Sequence, residues 1–141
     1  MKISKNFSLH EFTKSDTATR LEIDNTKVPQ PVLENLKLLV DKILQPLRDA
    51  IECPITISSG YRCLKVNAAV GGVPSSQHVI GQACDIKVNG MTPYEVAKKI
   101  VELDLPYDQL ILYPTFCHVS FSDRYRHRIL YNKSYNGKRL N

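Results

Sequence analysis

The sequence contains no run of apolar residues long enough to cross a membrane, because a membrane-spanning helix needs about 18 or more such residues. Residues 1–6 also lack the apolar region of about 7–15 residues that a secretory signal requires. Internal repeats, low-complexity segments and a linker rich in Pro, Gly or Ser are absent as well. We therefore expect a soluble protein, made in the cytoplasm, that folds as one domain over residues 1–141.

Cysteine pairs of the CxxC type are also missing, and the cysteines are too sparse for a small disulfide scaffold. We expect most of them to be reduced and buried as small hydrophobic side chains. With 141 residues, 43% of them hydrophobic, the chain buries enough surface to fold without disulfides or a metal. A metal site is therefore expected to be functional. The four cysteines are Cys53, Cys63, Cys84 and Cys117.

The net charge of +5 is concentrated at one end of the chain. Residues 124–141 contain six basic side chains and no acidic one, whereas residues 1–123 contain 13 basic and 14 acidic ones, a net charge of −1. The sequence has no tryptophan and no recognised DNA-binding or RNA-binding module, which argues against nucleic acid as a partner. We interpret the basic segment as a contact for an anionic polymer or as a solvated edge strand.

Two helices follow a polar, irregular amino-terminal arm that we place at residues 1–29. Apolar residues spaced three and four apart predict the first helix after Pro29. Pro46 lies inside this pattern and predicts a bend or break near Gln45. The apolar stripe consists of Leu33, Leu36, Val40, Ile43 and Leu47. A capping box predicts the second helix, with Thr92, Pro93 and Glu95 at its start.

Short strands separated by turns dominate the rest of the chain, which favours an α+β fold with a small antiparallel sheet packed against helices. The third and fourth strands are close enough in sequence to form a hairpin. A last edge strand is predicted over residues 124–131, with Arg124, Arg126 and Arg128 on one face. The other strands are predicted at residues 55–58, 83–88, 109–113 and 118–122.

Alternation along the second and fourth strands divides their side chains between two faces. On the polar face, neighbouring strands would place Asp85 and His118 side by side, and the turn at Gly81 would return His78 across them. Two imidazoles and one carboxylate make a reasonable zinc site, although their spacing matches no helical zinc motif. The alternative is that all three are satisfied structural residues. The apolar face includes Cys84, Ile86, Val88, Val119 and Phe121.

An ordered set of motifs resembles the zinc D-Ala-D-Ala carboxypeptidase family, peptidase family M15. The S-x-H-x-x-G-x-A-x-D and H-x-S patterns are matched by Ser76, His78, Gly81, Ala83, Asp85, His118 and Ser120. Its small single-domain branch also shows segments similar to residues 7–12, 45–48, 59–62, 67 and 108–111. The resemblance covers nearly the whole chain. It implies the fold of these peptidases, which cut peptidoglycan stem peptides.

The resemblance also implies roles for individual residues. His78, Asp85 and His118 would bind a zinc ion. Arg62 would hold a substrate carboxylate or polarise the scissile carbonyl, a role that suits a fixed fork of charged donors. Ser76 would contact substrate or orient His78. The residues alone leave simpler alternatives open, a surface ion pair for Arg62 and a turn-stabilising hydroxyl for Ser76.

The chain departs from the family pattern at one position. These peptidases usually carry an acidic residue three positions before the last zinc histidine, and here that residue is Thr115, which is unsuited to act as a general base. A hairpin centred just after Thr115 would place Tyr113 opposite His118, where its hydroxyl could hydrogen-bond an oxyanion or the metal-bound water. Asp108 and Asp123 are the nearby carboxylates, and either could swing in as the base.

Two functions follow from this reading. The first is a zinc-dependent peptidase cleaving peptidoglycan stem peptides, as a D-Ala-D-Ala carboxypeptidase or an endolysin-type endopeptidase. The second is a non-catalytic zinc-binding module that binds the cell wall or belongs to a virion. The expected partner is peptidoglycan or its stem peptides, with no membrane and no nucleic acid, and we expect a monomer. A phage or prophage lysis protein without a signal would reach the wall through a separate pore.

Overall fold

Both helices and strands form within residues 1–140, which the computed structural model describes. The predicted α+β class is confirmed. The helices are α1 (Leu9–Thr13), α2 (Asp16–Leu21), α3 (Gln30–Leu39), α4 (Gln45–Ile51), α5 (Leu64–Ala69) and α6 (Pro93–Glu102). The strands are β1 (Lys2–Ser4), β2 (Phe7–Ser8), β3 (Ile55–Ser59), β4 (Ala83–Val88), β5 (Gln109–Leu112), β6 (Cys117–Ser120) and β7 (Arg128–Tyr131). Within residues 1–140, none of the helices has the length and apolarity that a membrane crossing demands.

Five strands form one sheet in the order β3-β4-β6-β5-β7. Neighbours are antiparallel as predicted, except that β7 runs parallel to β5 at the edge. The parallel pair arises because the chain leaves β6 and passes the start of β5 before entering β7. The backbone of Asp108, just before β5, hydrogen-bonds to both neighbouring strands. Its N–H donates to the Ser120 carbonyl at the end of β6, and its carbonyl accepts from the Arg128 N–H at the start of β7.

The hydrophobic core lies between one face of this sheet and the helices. Cys84 and Cys117 are free thiols within it, in agreement with the interpretation from sequence. Burial raises the pKa of Cys117 to about 12, so this thiol stays protonated and unreactive near neutral pH. Fully buried side chains from both layers include Leu36, Leu39, Ile43, Leu47, Ile86, Ile100, Leu110 and Leu112.

Pro46 neither ends nor breaks the first long helix. The helical run continues from Gln30 to Ile51 through one π-helical turn, Val40–Leu44. At this turn the Gln45 N–H donates to the Val40 carbonyl, five residues back. Pro46, which has no N–H to donate, then falls in the first turn of α4. The chain accommodates the proline by widening the preceding turn, where the sequence predicts a bend or break.

The amino-terminal arm contains more regular structure than the sequence predicts. Strands β1 and β2 pair, and a capping box starts α1, in which the Ser8 N–H donates to the Glu11 carboxylate at 2.8 Å. Phe7 and Phe12 are buried in the core. These two rings anchor the short elements, which are too short to be stable alone.

The predicted strand over residues 124–131 is wrong for its first four residues. Strand β7 begins only at Arg128, and the preceding residues form a turn in which Tyr125 and His127 have φ values of +43° and +50°. These left-handed conformations are incompatible with an extended strand. The three arginines of this segment therefore do not share one strand face.

Gly60 lies where the end of β3 touches the amino-terminal arm. A Cβ atom at this position would lie 2.6 Å from the Phe12 carbonyl oxygen and 2.7 Å from the Phe12 Cα. We expect Gly60→Ala to lower the free energy of unfolding by about 3 kcal/mol, because both obstructing atoms belong to the backbone. Urea denaturation measures this change.

Gly90→Ala is the matched control, because the added methyl group meets open space there and φ is +85°. Gly90→Ala should therefore lower the free energy of unfolding by about 1 kcal/mol, through conformational strain alone. If Gly60→Ala and Gly90→Ala lower the free energy of unfolding by the same amount, the close contact with the Phe12 backbone is not what requires glycine at position 60.

Candidate metal centre

His78, Asp85 and His118 meet at one point of the structure, with ligand atoms all within 4.8 Å of one another. The Nδ1 atom of His118 lies 3.0 Å from Oδ1 of Asp85, and Nε2 of His78 lies 3.4 Å from the same oxygen. Ligand atoms about 2.0–2.1 Å from a tetrahedral zinc ion lie about 3.4 Å apart. The three side chains therefore have the spacing of a metal site.

The pairing of β4 with β6 places Asp85 directly opposite His118, as the alternation of the two strands predicts. Asp85 is only 7% exposed, so it lies at the base of the site rather than on an open face. Burial would raise the pKa of Asp85, but hydrogen bonds from His118 and His78 outweigh it and hold this pKa well below its usual range. The group is therefore a carboxylate at neutral pH, the form that binds metals.

His78 comes from the loop before β4, and its ring is oriented by the backbone. Its Nδ1 lies 2.8 Å from the Gly60 carbonyl oxygen, which places a proton on Nδ1 and makes Nε2, the nitrogen facing Asp85, the one that would bind a metal. Ser76 accepts a hydrogen bond from the His78 N–H at 3.2 Å. Gly81 closes the loop at φ +78°, and a Cβ there would lie 2.6 Å from the Val32 carbonyl.

Arg62 lies beside the triad and is held by two neighbours. Its Nε donates to the Ser59 hydroxyl at 3.3 Å, and its Nη1 donates to Oδ1 of the Asn67 side chain at 3.4 Å. Its Nη2 lies 3.8 Å from Oδ2 of Asp85. The guanidinium is therefore oriented toward the metal site while part of its donor fork remains available for a substrate.

Asn25 supports the segment that carries Arg62. Its side-chain amide donates to the carbonyls of Thr13 and Tyr61, both at 2.9 Å, and its oxygen accepts from the Cys63 N–H at 2.8 Å. Asn25 is 3% exposed, so these bonds fix the Tyr61–Cys63 backbone from the amino-terminal arm. Sequence reasoning missed this residue, because an asparagine in a polar arm carries no periodic signal.

A cleft of about 600 Å³ opens onto the triad. Its wall combines three arginines with polar and aromatic side chains, and Asp85 is the one carboxylate among the lining residues that the structure describes. A volume of this size suits a peptide of a few residues. The lining residues are Arg62, Val73, Ser75, Ser76, Gln77, His78, Asp85, Gln109, Ile111, Tyr113, Phe116, His118, Arg124 and Arg126.

Tyr113 lines the cleft, but the predicted pairing with His118 is wrong. Ile111 lies opposite His118, and the Tyr113 N–H donates to the Phe116 carbonyl at 3.0 Å. The hairpin is thus centred one residue earlier than predicted, and the Tyr113 and Phe116 rings stack with centroids 4.3 Å apart. Burial, followed by the charge of Asp85, raises the pKa of Tyr113. Its phenol therefore keeps its proton near neutral pH, which is the form able to donate a hydrogen bond.

Thr115 and Asp123 lie outside the cleft lining. Thr115 is exposed near the hairpin tip and lines a different cavity, together with Met91 and Lys87. Asp123 is exposed in the segment after β6. The residue three positions before His118 therefore does not line the cleft in this chain.

Asp108 is fully buried and does not line the cleft. Its carboxylate accepts hydrogen bonds from Nε, Nη2 and the backbone N–H of Arg126 at 2.9, 2.9 and 3.0 Å, and from Gln77 at 3.0 Å. Nη2 of Arg124 lies 3.6 Å away. The Arg126 hydrogen bonds outweigh burial and hold the pKa of Asp108 well below its usual range. These contacts hold the Asp108 carboxylate in place. They favour a role in positioning Arg126 over movement of the carboxylate into the metal site as a general base.

Comparison with known proteins agrees with this geometry. A family model for peptidase M15 matches residues 5–120, which is more than half of the chain. The chain belongs to peptidase family M15. No curated protein matches it. As an M15 protein with a His78, Asp85 and His118 group able to hold a metal, it has the general character of a metallopeptidase, and the predicted family is confirmed.

We expect Asp108→Asn in this M15 protein to lower the free energy of unfolding at pH 7 by about 1.5–3 kcal/mol, because the bonds to Arg126 lose their charge. The pKa of Asp108 is lower in the folded state than in the unfolded chain, where it is about 3.9. Its stabilising effect is therefore complete above about pH 5 and declines as the pH falls below about 4.

Urea denaturation of both proteins between pH 7 and pH 2.5 measures this dependence. The difference between wild type and Asp108→Asn should shrink on acidification, while the exposed control Asp123→Asn should match wild type throughout. A difference that stays constant down to pH 2.5 would contradict the ionic origin of the effect.

Metal binding by the triad is tested by elemental analysis after incubation with zinc and gel filtration. Wild type should carry about one ion per chain, and His78→Ala almost none, because removal of one of three ligands strongly weakens a site of this kind. His10→Ala is the matched control, since His10 is exposed in the amino-terminal arm. Equal metal content in all three proteins would place the ion elsewhere.

Proposed function

We propose that the protein is a zinc-dependent peptidase that cleaves peptidoglycan stem peptides, as a D-Ala-D-Ala carboxypeptidase or an endolysin-type endopeptidase. The observation that carries the proposal is the convergence of His78, Asp85 and His118 in a cleft that also presents Arg62. Membership of peptidase family M15 supports it.

The donor set suits zinc. Two imidazole nitrogens and one carboxylate oxygen are ligands that zinc accepts, and three protein ligands are the usual number in catalytic zinc sites. When bound, the ion would acidify a water molecule and polarise the scissile carbonyl. The protein's contribution is to hold Nε2 of His78 and Nδ1 of His118 against the Asp85 carboxylate.

Arg62 would bind the substrate on the metal side of the cleft. The hydrogen bonds to Ser59 and Asn67 direct its guanidinium toward Asp85. A planar, permanently charged fork of this kind binds a carboxylate or a polarised carbonyl oxygen. The side chain is 18% exposed, so the interaction takes place where water is partly excluded and electrostatic attraction is stronger.

Tyr113 would donate a hydrogen bond from its phenolic hydroxyl to the oxygen on which negative charge develops during attack on the scissile bond. Its raised pKa keeps the hydroxyl proton in place, and its stacking on Phe116 restricts the ring. A donor oriented before the reaction stabilises the transition state more than the ground state. We assign Arg62 and Tyr113 as the groups that contact the reacting substrate, with Ser76 and Asp108 as positioning residues.

A second candidate function is favoured by one observation. Among the cleft-lining residues that the structure describes, the one carboxylate is the proposed ligand Asp85, so the cleft offers no free carboxylate as a general base. This composition fits a non-catalytic zinc-binding module that binds cell-wall peptidoglycan without turnover.

Mass spectrometry of purified muropeptides incubated with zinc-loaded protein distinguishes the two functions. We expect a shortened stem peptide with wild type and a reduction of kcat by about 100-fold in Tyr113→Phe, the size of effect seen when one oxyanion donor is removed. Tyr125→Phe is the matched control, because Tyr125 is exposed and lies outside the cleft.

The absence of any product, under conditions in which a known family member cleaves, would overturn the peptidase proposal. Zinc-dependent retention on peptidoglycan sacculi in that case would favour the non-catalytic module.

A further inference from the structure

We propose that Arg124 and Arg126 form a second anion-binding subsite in the cleft, which recognises an additional substrate carboxylate apart from the group that Arg62 binds. This inference rests on the proposed function and narrows its substrate to acidic peptides. The ligand class is a peptide that carries a free carboxylate in addition to the groups at the scissile bond.

The charge of the cleft is the first observation behind this subsite. Three arginines line it, and Asp85 is the one carboxylate among the lining residues that the structure describes. Even with buried Asp108 included, three positive charges stand against two negative ones before any metal is bound. A partly enclosed wall with excess charge of one sign attracts ligands of the opposite sign.

The second observation is the way in which Asp108 fixes Arg126. One carboxylate oxygen accepts from Nε and the other from Nη2, both at 2.9 Å. Gln77 also donates to this carboxylate, at 3.0 Å. The guanidinium is therefore held as a rigid part of the cleft wall, with little ordering entropy left to lose when a ligand binds.

Arg124 supplies the unneutralised charge. Its side chain is 56% exposed, and its Nη2 lies 3.6 Å from a carboxylate oxygen of Asp108 that Arg126 and Gln77 already occupy. Two guanidiniums thus share one carboxylate, which leaves one positive charge on the cleft surface. A substrate carboxylate completes this arrangement by accepting from Arg124 and from the remaining donors of Arg126.

Arg124→Gln tests the subsite without breaking the bidentate pair between Arg126 and Asp108. Two synthetic stem peptides are compared that differ at one residue only, which carries a glutamate carboxylate in one peptide and the carboxamide in the other. The variant should lose about 5- to 10-fold in kcat/KM for the carboxylate peptide, as expected for a partly exposed charge-assisted contact. The carboxamide peptide should be cleaved as by wild type.

Arg128→Gln is the matched control, because Arg128 is an exposed arginine four residues along the chain that does not line the cleft. It should leave both peptides unaffected, and thermal unfolding should show that both variants are folded. An equal loss for the two peptides in Arg124→Gln, or no loss for either, would overturn the second subsite.

Failure of the peptidase proposal is separable from failure of the subsite. If wild type cleaves neither peptide, both serve as stable ligands, and the same comparison is made on Kd by isothermal titration calorimetry with zinc-loaded protein. A selective loss of affinity for the carboxylate peptide in Arg124→Gln then supports the subsite without turnover. Equal Kd values for the two peptides with wild type would overturn it.

Discussion

The hydrogen-bonded pairing of β4 with β6 is the constraint on which the site depends. It places Asp85 opposite His118, and a shift of one residue would send one of the two side chains to the core face. The third candidate ligand, His78, is then positioned by the Gly60 carbonyl at the end of β3, the neighbour of β4. Three adjacent strands thus define the ligand positions, and the loops complete the cleft around them.

Local rules predicted the parts of this site that depend on alternation. Side chains alternate between the two faces of a strand, which is why Asp85 and His118 could be predicted to lie on the same face. Residues 83–88 form β4 as predicted. The hairpin centre was missed by one residue, because alternation along β5 does not specify turn length. The ion pair between Asp108 and Arg126 was missed as well, since it joins residues 18 apart across a left-handed turn that no periodic pattern encodes.

The basic carboxy-terminal segment divides into two parts with different roles. Arg124 and Arg126 belong to the cleft wall. Farther along, the Lys138 ammonium lies 5.1 Å from the centre of the Tyr94 ring, and the Arg139 guanidinium lies 4.3 Å from that of Tyr131. Cation–π contacts of this kind hold the end of the chain against α6 and β7. The excess positive charge seen in the sequence therefore lies partly in the cleft wall and partly in packing contacts.

Asn25 links the amino-terminal arm to the segment that carries Arg62 through hydrogen bonds. Its hydrogen bonds to Thr13, Tyr61 and Cys63 cross 12, 36 and 38 residues of sequence. An arm exchanged between relatives would therefore alter the geometry of the cleft wall that Arg62 forms. In this fold the first 25 residues are not an interchangeable appendage, and any chimeric enzyme built on it must inherit the arm and the arginine loop from the same parent.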